Sequence, residues 1–355
     1  MGSDIMTRIA IIGAGMAGVT LATLLKDKAD IIVIEKSRGV SGRLAHRRAA
    51  PFGFDHGAAY MTIRDHGFAD MLAPYQSSGL LQQWPQHPVR LRSGDKPEPL
   101  PPKPDSYAVS GTASALIKAM IADHLPDIDM RLATKAVQIT RDSEAAKAAN
   151  DDKVGWRIVT EDSSAPEDQS DIIADWVIST APAPQTAALL PRSASFHQQL
   201  SDVETDGCFT LMLGFDTALN IGWDAAWGAH DQPLGFISDN RTKPERDQTR
   251  TALTIHAGNI WSSRHLTSNY DDVKARMIAA LYTHTGINAA TATHIGLQRW
   301  LYANPSRPLH GSEETPFVMD TSLRLAAAGD WCLGGRIENA YLSGSALARA
   351  LLPLI

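Results

Sequence analysis

The chain has little cysteine, no long apolar run and no excess of basic charge. Its 355 residues include only two cysteines, Cys208 and Cys332, which are too few for a disulfide framework and are typical of a reducing compartment. No apolar stretch reaches the roughly 18 residues of a membrane-spanning helix. The formal net charge of −6 argues against bulk binding to nucleic acid or to an anionic membrane. We therefore expect a cytoplasmic protein whose partners are small molecules, with no nucleic acid and no membrane among them.

Several common catalytic signatures are also missing. The sequence contains no HExxH, no GxSxG and no CxxC, and its twelve histidines are scattered without the spacing of a metal site. It shows no internal repeat and no low-complexity tract. These observations predict no metal, and the length favours two domains in an ordinary globular protein.

A glycine-rich turn stands near the start of the chain. Gly13, Gly15 and Gly18 form the pattern G-x-G-x-x-G between a short apolar strand and a helix over residues 16–25. The first glycine allows a tight turn, the second lets the backbone approach a pyrophosphate, and the third lets the helix pack on the strand. Glu35 follows 17 residues after Gly18, at the end of the strand "IIVIE", where a carboxylate can bind ribose hydroxyls. This pattern predicts dinucleotide binding rather than a secretory signal or an incidental glycine turn.

The basic run "KSRGVSGRLAHRR", from Lys36 to Arg48, follows that strand directly. It contains no carboxylate although the whole chain is acidic, and glycines alternate with its arginines. An arginine here, such as Arg43, can pair with the charge of a pyrophosphate. The alternative is a solvated basic loop, which explains the interleaved glycines poorly.

A second glycine-rich segment, "AAAGDWCLGGRIENAYLSGSALARALL", closes the chain. Asp330 follows Gly329 at the end of a strand, where it can bind a hydroxyl near the phosphates of a cofactor. Asn339 is a suitable N-cap for a final helix over residues 339–352, whose positive end would stabilise negative charge on a reduced flavin. Two glycine-rich sites near opposite ends of the chain favour FAD, a long cofactor that crosses a whole domain.

The remaining segments suggest that the chain leaves its first domain and later returns to it. Strands in "KAVQIT", "GWRIVT" and "DIIADWVIST" predict a β-meander inserted after the first βαβ unit. Strands in "CFTLMLGF" and "RTALTIHA" and a helix over residues 271–285 predict a separate domain. The predicted division is a discontinuous FAD-binding domain over residues 1–60, 105–186 and 305–355, and a substrate domain over residues 61–104 and 187–304.

The quoted segments, together with "FDHGAAYMT" and "LQRWLYANP", resemble the renalase family along the entire chain. The resemblance implies an α/β fold with a Rossmann-like FAD-binding domain of the p-hydroxybenzoate hydroxylase and monoamine oxidase type, and a second α+β substrate domain. It also implies noncovalent FAD and oxidation of aberrant 2- and 6-dihydro isomers of NAD(P)H. Dioxygen would be the acceptor, giving NAD(P)+ and hydrogen peroxide.

The resemblance carries a set of cofactor-binding residues onto this sequence. They are Gly13, Ala14, Gly15, Gly18, Glu35, Lys36, Arg43, Ala58, Ala59, Val137, Gly329, Asp330, Asn339 and Ala340. Three departures from the family pattern occur, since Ser41 and Asn339 stand where glycine is usual and Ala59 with Met61 replaces part of "GAQYFT". We expect the changes at Ser41 and Asn339 to be harmless, whereas the change at Ala59 and Met61 bears on the substrate contacts.

The predicted substrate pocket contains Tyr60, His256, Trp300 and Tyr302. Trp300 and Tyr302 stand two residues apart, so on a strand they would share one face and could hold a flat nicotinamide ring. His256 ends an apolar strand and could bind a carboxamide. For each of these residues ordinary core packing is the competing interpretation. A misreduced dihydropyridine regains aromaticity on losing hydride, so we assign no general acid or base.

Three alternatives remain open on the sequence. An amine oxidase uses the same fold with a pocket for a neutral amine, and a flavin- or NAD-binding module would bind without turnover. Cys332 invites a covalent flavin link, although a buried structural thiol beside noncovalent FAD is the preferred interpretation.

Overall fold

The structure is a computed structural model, and it describes residues 6–92, 97–142, 155–165, 167–309 and 315–355. Residues 143–154, which lie within the predicted β-meander, are outside the described residues. The α-helices of the described residues are α1 Met16–Leu25, α2 His66–Ser77, α3 Ala115–His124, α4 Ala183–Leu189, α5 His197–Ser201, α6 Asn259–Arg264, α7 Tyr270–Thr285 and α8 Ile337–Leu351. Short 3-10 helices are Asn240–Thr242, Ala289–Thr291, Asp330–Cys332 and Leu352–Leu354.

The strands of the described residues form five sheets. They are β1 Arg8–Ile12, β2 Asp30–Ile34, β3 His46–Ala49, β4 Phe52–Asp55, β5 Met61–Thr62, β6 Leu81–Gln83, β7 Pro88–Arg90, β8 Glu98–Pro99, β9 Ser106–Val109, β10 Asp129–Arg131, β11 Thr134–Asp142, β12 Gly155–Asp162, β13 Gln169–Ala174, β14 Trp176–Ser179, β15 Glu204–Phe215, β16 Ala225–Trp227, β17 Phe236–Asp239, β18 Thr251–His256, β19 His294–Arg307, β20 Phe317–Asp320 and β21 Leu325–Ala328.

Packing divides the chain into two compact units. The first unit comprises Met1–Gly42, Ile117–Glu204 and Pro305–Ile355, and the second comprises Arg43–Leu116 and Thr205–Asn304. The second unit therefore includes residues 43–60 and 105–116, and the first unit includes residues 187–204. The predicted division assigned those three segments the other way.

A six-stranded sheet forms the centre of the first unit. Its strand order is β10-β2-β1-β14-β21-β20, and all neighbours are parallel except β20, which runs antiparallel to β21. The apolar runs of β1, β2, β14 and β21 are buried almost throughout, as expected for parallel strands covered on both faces. Helices α1 and α8 pack so closely that a Cβ on Gly344 would lie 2.7 Å from the Ala17 carbonyl oxygen. This is the predicted Rossmann-like α/β architecture.

The structure corrects the predicted third strand of the meander. Residues 171–180 contribute to two strands, because β13 ends at Ala174 and pairs with β12, whereas β14 begins at Trp176 and joins the parallel sheet beside β1. Asp175 lies between them, where its carboxylate accepts the Arg8 N–H at 2.8 Å and its own N–H donates to the Arg8 carbonyl. These two hydrogen bonds to β1 lie where the meander ends and the strand of the parallel sheet begins, within one continuous apolar segment of the sequence.

The final helix also begins earlier than the sequence suggests. Helix α8 starts at Ile337 with Arg336 as its N-cap residue, and no side chain caps it. The predicted cap, Asn339, lies inside the first turn, where its Nδ2 donates to the Gly334 carbonyl at 2.8 Å. The N-cap prediction was therefore wrong, because the side chain ties the preceding turn to the helix instead.

The second unit is built on a seven-stranded sheet of order β19-β15-β18-β17-β16-β7-β8. Helix α7 buries Val273, Met277 and Leu281, which share an apolar core with β15 and β18. Asn269 caps the start of α7, and Gly286 ends it with a φ of 71°. Two smaller sheets, the β3-β4 hairpin and β5-β9-β6, complete this unit.

Gly18 tests the close packing at the first turn. A Cβ on Gly18 would lie 2.0 Å from the Gly13 carbonyl oxygen, whereas a Cβ on Gly39 would meet nothing within 4 Å. We expect Gly18→Ala to lower the free energy of unfolding by about 3 kcal/mol, and Gly39→Ala to change it by less than about 0.5 kcal/mol. Urea unfolding of both variants checks this, and equal stabilities would contradict the packing described.

Candidate functional site

The glycine turn of the first unit has the geometry of a phosphate cradle. Gly13 adopts a φ of 112°, which favours glycine, and its N–H donates to the Ile34 carbonyl at 2.8 Å. Helix α1 follows with Gly15 as its N-cap residue and no side chain on its first N–H groups. Those groups and the helix dipole are therefore arranged to hold an anion.

The basic loop folds directly onto this turn. A Cβ on Gly42 would lie 3.4 Å from the Gly15 Cα, so the two backbones are in near contact. The Ser41 N–H donates to the Ala14 carbonyl at 2.9 Å. Ser41 has a φ of 104°, in a region that favours glycine. The departure expected to be harmless therefore has a backbone cost of about 1 kcal/mol or more.

Glu35 is fixed by the backbone around it. One carboxylate oxygen accepts the Ala14 N–H at 2.9 Å and the other accepts the Ser37 N–H at 2.8 Å. A carboxylate has about four acceptor positions, so two remain for ribose hydroxyls. The Glu35 side chain is buried. Burial suits a carboxylate that holds the turn together and also faces a bound ligand.

The other predicted cofactor residues lie in varied surroundings. Lys36 is exposed, Ala14 and Ala59 are buried, and Ala58 is half-buried. Val137 lies at a register shift between β11 and β12, so it is the residue that the ladder skips. The Arg43 guanidinium donates to the Ala303 carbonyl at 3.0 Å.

The second glycine-rich segment forms a tight turn at the end of β21. The Gly329 N–H donates to the Ser343 hydroxyl at 2.8 Å, and that hydroxyl donates to the Pro316 carbonyl. Asp330 is buried at the start of the 3-10 helix, and its carbonyl accepts the Gly334 N–H at 2.7 Å. The neighbouring thiol of Cys332 is buried, and burial raises its pKa to about 12. Ala340 belongs to the first turn of α8, half-buried beside Asn339.

These features of the first unit fit an FAD. The uncapped α1 end and the Gly15–Gly42 approach suit a pyrophosphate, and the remaining acceptors of Glu35 suit a ribose. Because Val137 lies in a β-bulge, its backbone N–H and C=O are outside the hydrogen-bonded ladder. An adenine can form hydrogen bonds with backbone groups of this kind. Glycine occupies the positions of the turn at which a Cβ would collide with neighbouring atoms.

In the second unit, aromatic and imidazole rings form two groups that together make up an aromatic row. Tyr60 lies 5.6 Å from Phe236, and Phe236 lies 6.1 Å from His256, measured between ring centroids. His56 stands 5.2 Å from Trp300, whose Nε1 donates to the His56 carbonyl at 3.0 Å. The backbone of His56 lies beside the His256 ring and joins the two halves. The structure thus brings together three of the four predicted pocket residues, Tyr60, His256 and Trp300.

Tyr302, the fourth predicted residue, occupies the same strand, β19, two positions beyond Trp300. The two side chains therefore share a face of that strand, as predicted. Tyr302 is half-buried, and within the described residues its ring does not pack against any ring of the row. Trp84 and Trp227, which the sequence did not single out, pack on Tyr60 at 6.2 and 6.0 Å.

Both histidines of the row are held neutral. Burial lowers the pKa of His256 to about 4, and burial followed by the charge of Arg47 lowers the pKa of His56 to about 4. Within the described residues, neither ring nitrogen of His256 has a hydrogen-bond partner of good geometry, although both atoms are buried. A neutral imidazole can donate from one nitrogen and accept at the other. The backbones of His56 and Gly57 act on the His256 ring, so the ring has polar neighbours but no hydrogen bond of good geometry within the described residues.

Sequence reasoning missed the ionic cluster behind this row. Asp55, 1 % exposed, accepts from Lys243 at 2.8 Å, from Arg246 at 2.7 Å and from the Ala113 N–H at 3.0 Å, and its other contact is with His46 Nδ1 at 2.8 Å. Burial alone would raise the pKa of the Asp55 carboxyl. The charge of Lys243, the His46 hydrogen bond and the charge of Arg246 outweigh burial and hold that pKa far below its usual range.

Two family models match the chain. Residues 11–73 match the NAD(P)-binding Rossmann-like domain, and residues 102–352 match the flavin containing amine oxidoreductase family. The second match covers more than half of the chain. The chain belongs to the flavin containing amine oxidoreductase family. It is a flavin-dependent oxidoreductase with FAD as its cofactor, as the glycine turns of the first unit indicate.

Solved structures with the same fold come from oxidases of this group. A provisional protoporphyrinogen oxidase from Exiguobacterium sp. 255-15 has a TM-score of 0.77 at 13% identity, with 100% of both chains covered. Cyclohexylamine oxidase from Brevibacterium oxydans IH-35A has a TM-score of 0.68 at 13% identity, covering 98% of this chain and 99% of that one. A putrescine oxidase bound to putrescine has a TM-score of 0.66 at 12% identity, covering 98% and 99%. At such identities the likeness establishes the fold alone.

Two features are absent from the described residues. No helix there combines the length and the apolar character that a membrane crossing requires. No group of three or more His, Cys, Asp or Glu side chains in those same ranges is placed to hold a metal ion.

Removing the charge of Asp55 should be costly. Asp55→Asn leaves Lys243 and Arg246 buried without their carboxylate, so we expect the free energy of unfolding to fall by about 3–5 kcal/mol. The matched control is Asp105→Asn, which breaks a solvent-exposed pair with Arg64 and should cost less than about 1 kcal/mol. Urea unfolding at pH 7 measures both, and similar losses in the two variants would show that the cluster does not stabilise the fold.

The neutral histidines predict a pH dependence of stability. An unfolded histidine titrates near pH 6.5, whereas folded His256 does so at about 4. As pH falls through this window, His56 and His256 of the unfolded chain each bind a proton that the folded chain does not, so the free energy of unfolding should fall by about 3 kcal/mol for each of the two. His256→Gln should remove about half of this pH dependence, and His66→Gln, at an exposed position, should leave it unchanged. Identical curves for all three proteins would refute the neutral state.

Proposed function

We propose that this protein is a renalase-type oxidase that removes hydride from the 2- and 6-dihydro isomers of NAD(P)H. The observation that supports this most directly is His256, a neutral imidazole with one donor and one acceptor nitrogen, neither of them in a hydrogen bond of good geometry within the described residues, set among aromatic rings. A nicotinamide carboxamide carries one acceptor oxygen and one donor NH2 group, and so complements that pair. The flat rings of Tyr60, Phe236 and Trp300 suit a planar heterocycle.

The reaction balances without a protein acid or base. A bound FAD would supply the hydride acceptor and the route for two electrons to dioxygen. The substrate would regain aromaticity, and one dihydronicotinamide, one dioxygen and one proton from solvent would give NAD(P)+ and hydrogen peroxide. The residues of this chain bind and orient the substrate and exclude water. His56 and His256, neutral at pH 7, are suited to that role because they place no charge against the developing nicotinamide cation.

The proposed flavin is noncovalent. Cys332, the cysteine beside Asp330, is buried and its thiol has a pKa raised to about 12, so it offers little thiolate for a covalent bond. The turn residues of the first unit would hold the cofactor through phosphate, ribose and backbone contacts instead.

An amine oxidase is the second candidate function. The family match and the fold shared with putrescine and cyclohexylamine oxidases favour it. The cluster of Tyr60, Trp84, Trp227 and Phe236 also provides an aromatic wall of the kind that surrounds a neutral amine. For the dihydronicotinamide the additional support is that a neutral His256 can donate from one nitrogen and accept at the other, as a carboxamide requires.

Anaerobic stopped-flow mixing distinguishes the two functions. We expect 2- or 6-dihydroNAD to bleach the flavin absorbance at a second-order rate at least about 100-fold above that of benzylamine, putrescine or cyclohexylamine. His256→Ala should lower the rate with dihydroNAD by about 10- to 100-fold, since a buried hydrogen-bonding pair is lost. His66→Ala, at an exposed site on α2, is the matched control and should react normally. Bleaching by amines alone would reject the dihydronicotinamide proposal and establish the amine oxidase.

A further inference from the structure

The basic run of the sequence ends in two arginines that the predicted cofactor site does not use. Arg47 and Arg48 lie on β3, and both are exposed. Successive residues of a strand lie on opposite faces, so the two side chains start from different faces of the hairpin. Arg47 is paired across the hairpin with Phe54, whose ring stacks on that of His294 in β19 at 5.3 Å between centroids. The face of the hairpin that carries Arg47 is therefore the one that packs on β19.

Arg47 reaches the end of the aromatic row at Trp300. Its Nη2 donates to Gln298 Oε1 at 2.8 Å. Gln298 shares a face of β19 with Trp300, two residues further along, at a Cα spacing of about 7 Å. The Trp300 ring lies 5.2 Å from the ring of His56, and after burial the positive charge of Arg47 is the next largest cause that lowers the pKa of His56. Arg47 is therefore close to both rings at this end of the row.

The charge of Arg47 has no carboxylate beside it in the described part of the chain. The group that it contacts is an amide, and none of the ion pairs between described residues includes it. His56 is neutral at pH 7, because burial and the charge of Arg47 lower its pKa to about 4. Asp55, the carboxylate that precedes His56, is bound by Lys243 and Arg246 instead. The positive charge of Arg47 is thus available to an anionic ligand.

The aromatic row therefore has a neutral end and a cationic end. At the neutral end the ring centroids of Tyr60 and Phe236 lie 5.6 Å apart. Lys243, whose ammonium lies 5.1 Å from the Trp84 ring at this end, has a fully buried side chain that is already paired with a carboxylate. At the other end Arg47 is exposed. A dihydronicotinamide dinucleotide has the same polarity, since its flat uncharged ring is joined through a ribose to a negatively charged pyrophosphate, whereas a simple amine has no anionic group for Arg47 to bind.

We propose that Arg47 binds the pyrophosphate of the dinucleotide substrate and so selects dinucleotides over amines and nucleosides. The inference rests on the proposed function, because it places the nicotinamide ring along the aromatic row. A guanidinium can bind phosphate oxygens through parallel N–H···O bonds. The bond to Gln298 uses one of the five N–H donors of Arg47 and holds the side chain against β19, which reduces the entropy lost when the substrate binds. Because Arg47 is exposed, added salt should weaken its contribution.

Binding of NAD+, the product of the proposed reaction, to the FAD-loaded protein tests this role of Arg47. Isothermal titration calorimetry at low ionic strength would measure the affinity in the wild type and in three variants. We expect Arg47→Gln to weaken NAD+ binding about tenfold, since a charged hydrogen bond is lost, and Arg47→Lys, which keeps the charge, to weaken it less. Arg48→Gln removes the same charge from the other face of β3, so it is the matched control and should bind NAD+ as the wild type does.

Anaerobic bleaching of the flavin separates this inference from the proposed function. With 6-dihydroNAD, Arg47→Gln should react about tenfold more slowly than the wild type, whereas with 6-dihydronicotinamide riboside, which lacks phosphate, the two proteins should react equally. Unchanged NAD+ affinity in Arg47→Gln, an equal loss of rate with the riboside, or loss of FAD from the variant would overturn the role of Arg47, while a wild type bleached by 6-dihydroNAD would still be the proposed oxidase. A wild type that neither binds NAD+ nor is bleached by 6-dihydroNAD would refute the oxidase, and this inference with it.

Discussion

The buried carboxylate of Asp55 is the constraint on which the second unit depends. It joins the β3-β4 hairpin to the residues before α3, at Ala113, and to the segment that carries Lys243 and Arg246. A lone carboxylate in such a place would be very unfavourable, and the surrounding cations and N–H donors are what keep it ionised. Because His56 follows Asp55 directly, the same contacts fix the backbone that meets Trp300 and lies beside His256.

The two units use different physics for binding. In the first, glycine backbones, an uncapped helix and the acceptors of Glu35 form a site suited to phosphates and ribose. In the second, buried charge is concentrated at Asp55, next to a row of neutral rings. The Lys243 ammonium lies 5.1 Å from the Trp84 ring centroid, and Trp84 packs on Tyr60, so the charged cluster and the aromatic row are neighbours within one unit. A row of neutral rings next to a buried ion cluster suits a substrate that must be oriented but does not require general acid or base catalysis.

Short-range sequence patterns were enough to predict the main features of the first unit. The glycine spacing, the apolar strands and Glu35 are all read within a few dozen residues, and the fold and FAD followed from them. Errors arose where a long-range contact decided the outcome. Asp175 divides one apolar run by bonding to Arg8, far away in the sequence, and Asn339 bonds to Gly334 rather than capping the helix. The Asp55 cluster could not be found by pattern, because Lys243 and Arg246 lie 188 and 191 residues from Asp55 along the chain.

The most direct test of this account is the titration of Asp55 itself. NMR spectra of protein labelled with 13C at the aspartate side-chain carboxyl carbons, with Asp55 assigned by its loss in Asp55→Asn, report the ionisation of that group. We expect its resonance to stay at the ionised position from pH 7 down to the onset of acid unfolding, because its pKa lies far below the ordinary value. A resonance that titrates near pH 4 in the folded protein would show that the carboxylate is not held by its cations, and would contradict the central role given to it.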